Sequence, residues 1–165
     1  MSKIYNLKTV QCIPVSLDTA WDFFSKPDNL KDITPSNLGF DIMSKHHGSA
    51  MYAGQIIEYR VRPLLGIPLY WMTEITHIEN HLFFVDEQRF GPYSLWHHQH
   101  HFKAVEGGVE MTDIVHYKLP FWVLGDLANT LFVQSQLRGI FEHRYVAVEQ
   151  KFGSWNTGSK MIQFS

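Results

Sequence analysis

His98 and His100 lie in the run Trp96-His97-His98-Gln99-His100-His101-Phe102, whose alternation is that of a strand. Strand side chains of one parity share a face, so the two imidazoles point the same way, beside Trp96 and Phe102. Neighbouring runs carry carboxylates in the same phase: Phe84, Asp86 and Gln88 before, Met111, Asp113, Val115 and Tyr117 after. Imidazole beside carboxylate supports several chemistries. An Asp can fix a His tautomer in a satisfied structural network, or the set can orient the polar end of a ligand. A His–Asp pair near a Tyr can also shuttle a proton, which makes His98, His100 and Asp113 the catalytic candidates. Two His with Asp86 or Asp113 are a conceivable facial metal triad. The other eight of the ten histidines fall on the other parity or elsewhere, however, and no metal is assigned.

The opposite parity reads Val85, Glu87, Arg89, then His97, Gln99, His101, Lys103, then Glu110, Thr112, His116, Lys118, a solvated face. The aromatic-rich parity is therefore the concave one. Burial is expected for Asp86, Gln88, His98, His100, Asp113 and Tyr117, and exposure for Glu87, Arg89, Gln99, Lys103 and Lys118. Buried polar groups need partners, since each orphan costs roughly 1–3 kcal/mol. No nucleophile stands out: Ser94, Ser135 and Cys12 carry no activating motif, and no phosphate-cradling glycine pattern is present. Arg138 and Arg144 are able to anchor an acidic ligand group, but pairing with Glu142 or snorkelling at the helix edge is the expectation for both.

The composition frames what these residues sit in. The 165 residues fit one domain. Hydrophobic residues make 45% against 18% charged, as in a folded globule. A net charge of -2 gives no electrostatic reason to bind nucleic acid. Twelve Phe, seven Tyr and five Trp supply wide amphipathic surfaces to line something with. A lone Cys12 permits no internal disulfide and suits a reducing, cytoplasmic setting. No apolar run approaches a membrane span, and no signal peptide is read at the N-terminus.

The elements that must position the candidates follow from turn signals. Residues 4–13 read as a strand; Ser16 caps a short helix to Phe24, and Ser25 caps another to about Lys31, stopped by Thr34-Pro35. From Phe40 to Lys118, period-two runs broken by His47-Gly48, Pro63, Glu79-Asn80, Gly91-Pro92 and Gly107-Gly108 give six antiparallel strands. Asp126 opens a long helix to about Phe152, with Leu137, Phe141, Tyr145, Val148 and Phe152 on one stripe. The same stripe runs back onto Gln134 and Thr130, so the first half of the helix is expected to face a cavity rather than a dry core. The domain spans 1–153, and 154–165 reads as a flexible tail.

This order of elements resembles the helix-grip fold of the START-like, or SRPBCC, superfamily. The local match is the series Phe84-Val85-Asp86-Glu87-Gln88, Gly91-Pro92-Tyr93, Trp96-His97-His98-Gln99-His100, Asp113, Tyr117-Lys118-Leu119-Pro120 and Phe141-Glu142-His143-Arg144, similar to a bacterial ligand-binding or cyclase-like branch. The resemblance implies an α+β domain, a curved antiparallel sheet of about seven strands around a long C-terminal helix, with a deep cavity between them. It implies no cofactor. The expected occupant is a small, mostly hydrophobic molecule, lipid- or polyketide-like, held by Trp71, Phe84, Asp86, Gln88, Trp96, His98, His100, Asp113, Tyr117, Thr130 and Gln134. A polyketide cyclase or dehydratase using a His/Asp pair, and an interaction module like the superfamily's co-chaperones, are the alternatives; a homodimer is left open. In a meander the turns near Leu65, Gly91 and Phe121 share one end, and all three are apolar. Leu64, Leu65, Ile67, Trp122, Val123 and Leu124 are expected to gate the entrance there, the alternative being that these loops only seal the core.

Overall fold

The computed structural model describes residues 3–44, 50–64, 67–120, 132–155 and 160–165. Strand β1 (Tyr5–Ile13) buries Tyr5, Leu7 and Thr9 on alternate positions. Ser16 then caps helix α1 (Leu17–Phe24), its hydroxyl accepting from the Thr19 N–H at 3.2 Å. Ala20, Trp21, Phe23 and Phe24 form the buried side of α1. The second short helix is a 3-10 turn over Pro27–Ile33. Its expected cap, Ser25, instead closes α1, donating its N–H to the Trp21 carbonyl, while Pro27 supplies the preset φ that starts the turn.

Strands β2 (Asp41–Ile42), β3 (Gln55–Leu64), β4 (Ile67–Glu79), β5 (Phe83–Phe90), β6 (Leu95–Val105) and β7 (Gly108–Lys118) are the six expected between Phe40 and Lys118. They form one open antiparallel sheet in the order β2-β3-β4-β5-β6-β7-β1-β8. A register shift between Ile75 and His77 breaks the alternation of β4, so that Ile75 and Ile78 both pack inward. The architecture is the α+β helix-grip arrangement, with eight strands rather than about seven.

The eighth strand corrects the expectation of a flexible tail. β8 (Lys160–Phe164) pairs antiparallel with β1 from Leu7↔Phe164 to Gln11↔Lys160. It covers the edge β1 would otherwise expose, and Ile162 and Phe164 pack onto the Tyr5–Leu7–Tyr117 cluster. The Tyr145 hydroxyl, within reach of the Val10 (3.1 Å) and Met161 (2.6 Å) carbonyls, ties both strands to the helix. Where β7 begins beside the end of β1, Gly108 is required: a Cβ there would collide with the Ile13 carbonyl oxygen and approach Trp155 to 2.8 Å.

Helix α2 (Gln134–Phe152) ends at Gly153, whose φ of 96° is one a glycine adopts without strain. Leu137, Phe141, Tyr145 and Val148 are buried as the stripe predicts, and Arg144 is buried with them. The expected start of this helix at Asp126 lies outside the described residues. The aromatic parity of β5, β6 and β7 faces α2: Phe84, His98, His100, Phe102, Met111, Asp113, Val115 and Tyr117 are all buried. Asp86 and Gln88 are half-buried, and of the expected outer set Arg89 and Lys103 are exposed while Glu87, Gln99 and Lys118 are half-buried. Val85 departs from its parity, at 5% exposure on the outer face.

Candidate functional site

Strand register assembles the site before any side chain moves. The β5–β6 hairpin sets Asp86 opposite His98 and Phe84 opposite His100, and β7 sets Asp113 opposite His100. Gln88 fixes that hairpin, donating from Nε2 to the Tyr93 carbonyl at 2.7 Å and accepting from the Tyr93 N–H at 3.3 Å. Each imidazole consequently bridges the two carboxylates. His100 Nε2 lies 2.8 Å and His98 Nδ1 3.4 Å from Asp86 Oδ2. On the far side His98 Nε2 is 3.1 Å and His100 Nδ1 2.8 Å from Asp113 Oδ1. The His100 Nδ1 approach is close but out of line, which leaves that buried atom without a hydrogen bond. The two imidazole centroids are 3.8 Å apart with their planes tilted by 39°, and Phe84 stacks on His100 at 4.1 Å.

Helix α2 completes the cluster. Arg144 Nη1 lies 3.4 Å from Asp113 Oδ1, Nη2 donates to Met111 Sδ at 3.6 Å, and the guanidinium carbon sits 5.3 Å from the Phe24 ring centroid. From β1, Thr9 Oγ1 donates to Asp113 Oδ2 at 3.3 Å. The expectation that Arg144 pairs with Glu142 or snorkels at the helix edge is overturned: it points inward because Asp113 compensates its charge. Arg138 lies over the Phe164 ring, at 5.2 Å.

These contacts split the two histidines. Burial, then the neighbouring His100, pushes His98 below its ordinary value. Burial would lower His100 too, but its contacts with Asp113 and Asp86 outweigh it and hold the pKa above the ordinary value. Burial acts to raise both carboxylates and is overcome. The charge of Arg144, then the contacts with His100 and His98, hold Asp113 well below the usual range. His98 and His100 hold Asp86 below it. These directions favour a cluster in which the Arg144 guanidinium and a proton held on His100 rather than His98 offset the two carboxylates. On the β3 side, burial and then the charge of Asp86 push the Tyr59 phenol upward.

The cluster forms one wall of a cavity of about 680 Å³ between the sheet and α2. Most of the remaining lining is apolar: Phe24, Leu30, Ile33 and Met51 at one side, Val61, Leu69, Trp71 and Tyr93 along the sheet, and Leu137, Ile140 and Phe141 from α2. Of the expected ligand residues, Trp71, Phe84, Asp86, Trp96, His98 and His100 line it. Asp113 stands behind the histidines, Tyr117 stacks on Tyr5 at 5.5 Å, Gln88 is spent on its hairpin and Gln134 is half-buried; none of these four is part of the wall. Thr130, Leu65, Trp122, Val123 and Leu124 lie outside the described residues, as does the Leu64 side chain, and Ile67 is exposed and does not line the cavity. At that end the wall includes Pro92, Tyr93, Leu119 and Phe132. Sequence reasoning missed Tyr59, Thr73 and Gln136 in the lining. The Ile57-Tyr59-Val61 alternation of β3 carried the signal for Tyr59.

No family model and no curated sequence matches the chain. The fold is similar to that of solved structures across bacteria and plants. A protein from Arthrobacter aurescens aligns with a TM-score of 0.67 at 12% identity, over 93% of this chain and 91% of that one. One from Thermus thermophilus gives 0.64 at 14%, over 89% and 96%. A major latex-like protein from Panax ginseng gives 0.65 at 13%, over 90% and 97%. At these identities the likeness is one of fold.

Proposed function

We propose that this chain belongs to the START-like superfamily and binds a small, mostly apolar molecule, lipid- or polyketide-like, in its cavity. The observation that carries this reading is a cavity of about 680 Å³ with a mostly apolar lining and one buried polar cluster on its wall. That is the size and composition of small-molecule sites generally. The apolar body of the ligand packs against Trp71, Trp96, Ile140 and Phe141, and its polar end meets Asp86, His98, His100 and Arg144. Entry is at the end of the sheet carrying the apolar loops, with Leu64, Leu65, Ile67, Trp122, Val123 and Leu124 as the gate. Among the described residues no helix is long and apolar enough to cross a membrane, and the unpaired, buried Cys12 suits a cytoplasmic protein.

The test is ligand occupancy. Native mass spectrometry of the purified protein should find a co-purified small molecule, or the protein should take up a fluorescent fatty acid. Ile140→Trp, which fills the cavity from α2, should abolish uptake with little change in melting temperature. Equal uptake by Ile140→Trp would place binding elsewhere. One observation favours a second reading, an acid–base enzyme of the cyclase or dehydratase kind: the adjacent His98 and His100 are shifted in opposite directions on the cavity wall. His98→Gln would then retain ligand and lose turnover.

A further inference from the structure

Asp86, His98 and His100 converge in a manner that the ligand-binding reading does not need. Asp86 Oδ2 is 2.8 Å from His100 Nε2 and 3.4 Å from His98 Nδ1. Ligands bound at about 2.0–2.2 Å in octahedral or tetrahedral geometry stand roughly 2.8–3.6 Å apart, so both separations fit a shared cation. The ring centroids are 3.8 Å apart, with the ring planes tilted by 39°. All three residues line the cavity, with side chains 17%, 10% and 8% exposed for Asp86, His98 and His100.

The opposite edges of both rings meet a single carboxylate. His98 Nε2 bonds Asp113 Oδ1 at 3.1 Å, and His100 Nδ1 is 2.8 Å from the same oxygen. Metal-ligating histidines hand their second N–H to such a carboxylate, which fixes the tautomer and leaves the other nitrogen free to coordinate. Asp113 is itself anchored from two directions, by Arg144 and Thr9. His100 Nδ1, buried and not yet in line with its oxygen, is the atom a small ring rotation toward a metal would satisfy.

We propose that Asp86, His98 and His100 bind one divalent first-row transition metal ion, such as Zn²⁺, Co²⁺ or Fe²⁺, with Asp113 orienting both imidazoles. Two nitrogens and one carboxylate oxygen favour these ions over Mg²⁺ or Ca²⁺. Three protein ligands leave at least one position open, and it faces the cavity. What fills it, an oxygen donor such as a carboxylate or enolate on the apolar ligand, rests on the ligand-binding reading; the metal site does not.

Chelator-stripped protein is titrated with Co²⁺ and followed by its visible absorption, then back-titrated with Zn²⁺. One equivalent of Co²⁺ should bind and be displaced by Zn²⁺, and azide should shift the Co²⁺ bands by taking the open position. Asp113→Asn should weaken Co²⁺ affinity roughly 10–100-fold, and Asp86→Asn by more, with circular dichroism showing that each variant is folded. The double variant His97→Gln/His101→Gln, on the outer face, should bind as wild type does. The proposal is overturned if folded wild type takes up neither ion at micromolar concentration, if binding survives Asp86→Asn, or if it is lost in the outer-face variant instead. A Co²⁺ spectrum indifferent to azide would overturn the open, cavity-facing position. Failure of fatty-acid uptake with intact Co²⁺ binding would count against the apolar ligand alone.

Discussion

Asp113→Asn is the perturbation that tests the cluster most directly, because it keeps the shape of the side chain and removes only its charge. Asp113 and Arg144 are 4% and 7% exposed, 3.4 Å apart at their nearest atoms. Removing one partner of so buried a pair leaves the other charge uncompensated, at a cost of about 3–5 kcal/mol. In a chain of this size each kcal/mol moves the midpoint by about 2–4 °C, so the variant should melt roughly 6–20 °C lower. Arg144→Met on the Asp113→Asn background should recover part of the loss, because it removes the stranded guanidinium and leaves an apolar chain beside Phe24 and Phe141. A double-mutant cycle read by urea unfolding of metal-free protein should give a coupling of about 1–3 kcal/mol. Additivity within about 0.5 kcal/mol, or a loss below about 1 kcal/mol for Asp113→Asn, would show that the pair is not the keystone of the site.

In chelator-stripped protein, stability should peak near neutral pH, because the two histidines pull in opposite directions. His98 is depressed, so the unfolded chain takes up its proton first and stability falls as pH drops below about 6.5. Depressed Asp86 and Asp113 steepen the fall near and below about pH 4. His100 is raised, so its contribution is complete below about pH 6.5 and is lost as pH rises through its folded value. Urea midpoints across this range check both limbs, and His98→Gln should flatten the first acid step; an unchanged step assigns it to another group. Deleting residues 160–165 uncovers β1 and the Tyr145 hydroxyl. Lower melting temperature and concentration-dependent association, read by light scattering, are expected, whereas a monomer of unchanged stability would make β8 dispensable.

Much of this architecture was legible in the chain because it is written locally. Ser16 caps its helix through its own hydroxyl, Gly91-Pro92 turns its hairpin, and period two put Phe84, His98, His100, Asp113 and Tyr117 on the inner face. Burial at those positions follows from alternation alone. The tail was misread since five residues of alternating pattern become a strand only when an unpaired edge, here β1, is waiting for them. Tertiary structure alone decided how the polar set divides. Parity placed Gln88 and Tyr117 beside the histidines, but a hydrogen bond to Tyr93 and a stack on Tyr5 occupy them. Arg144 falls on the apolar stripe by spacing, three residues after Phe141 and four before Val148, but its charge argues for solvent, and only the approach of α2 to β7 sets it against Asp113. Sequence determines which residues share a face, because the strand repeat is a property of the backbone. Which imidazole bridges which carboxylate, and how their protons divide, depends on a few ångströms of approach between β5, β6, β7 and α2, and charge in a low-dielectric interior responds steeply to such distances.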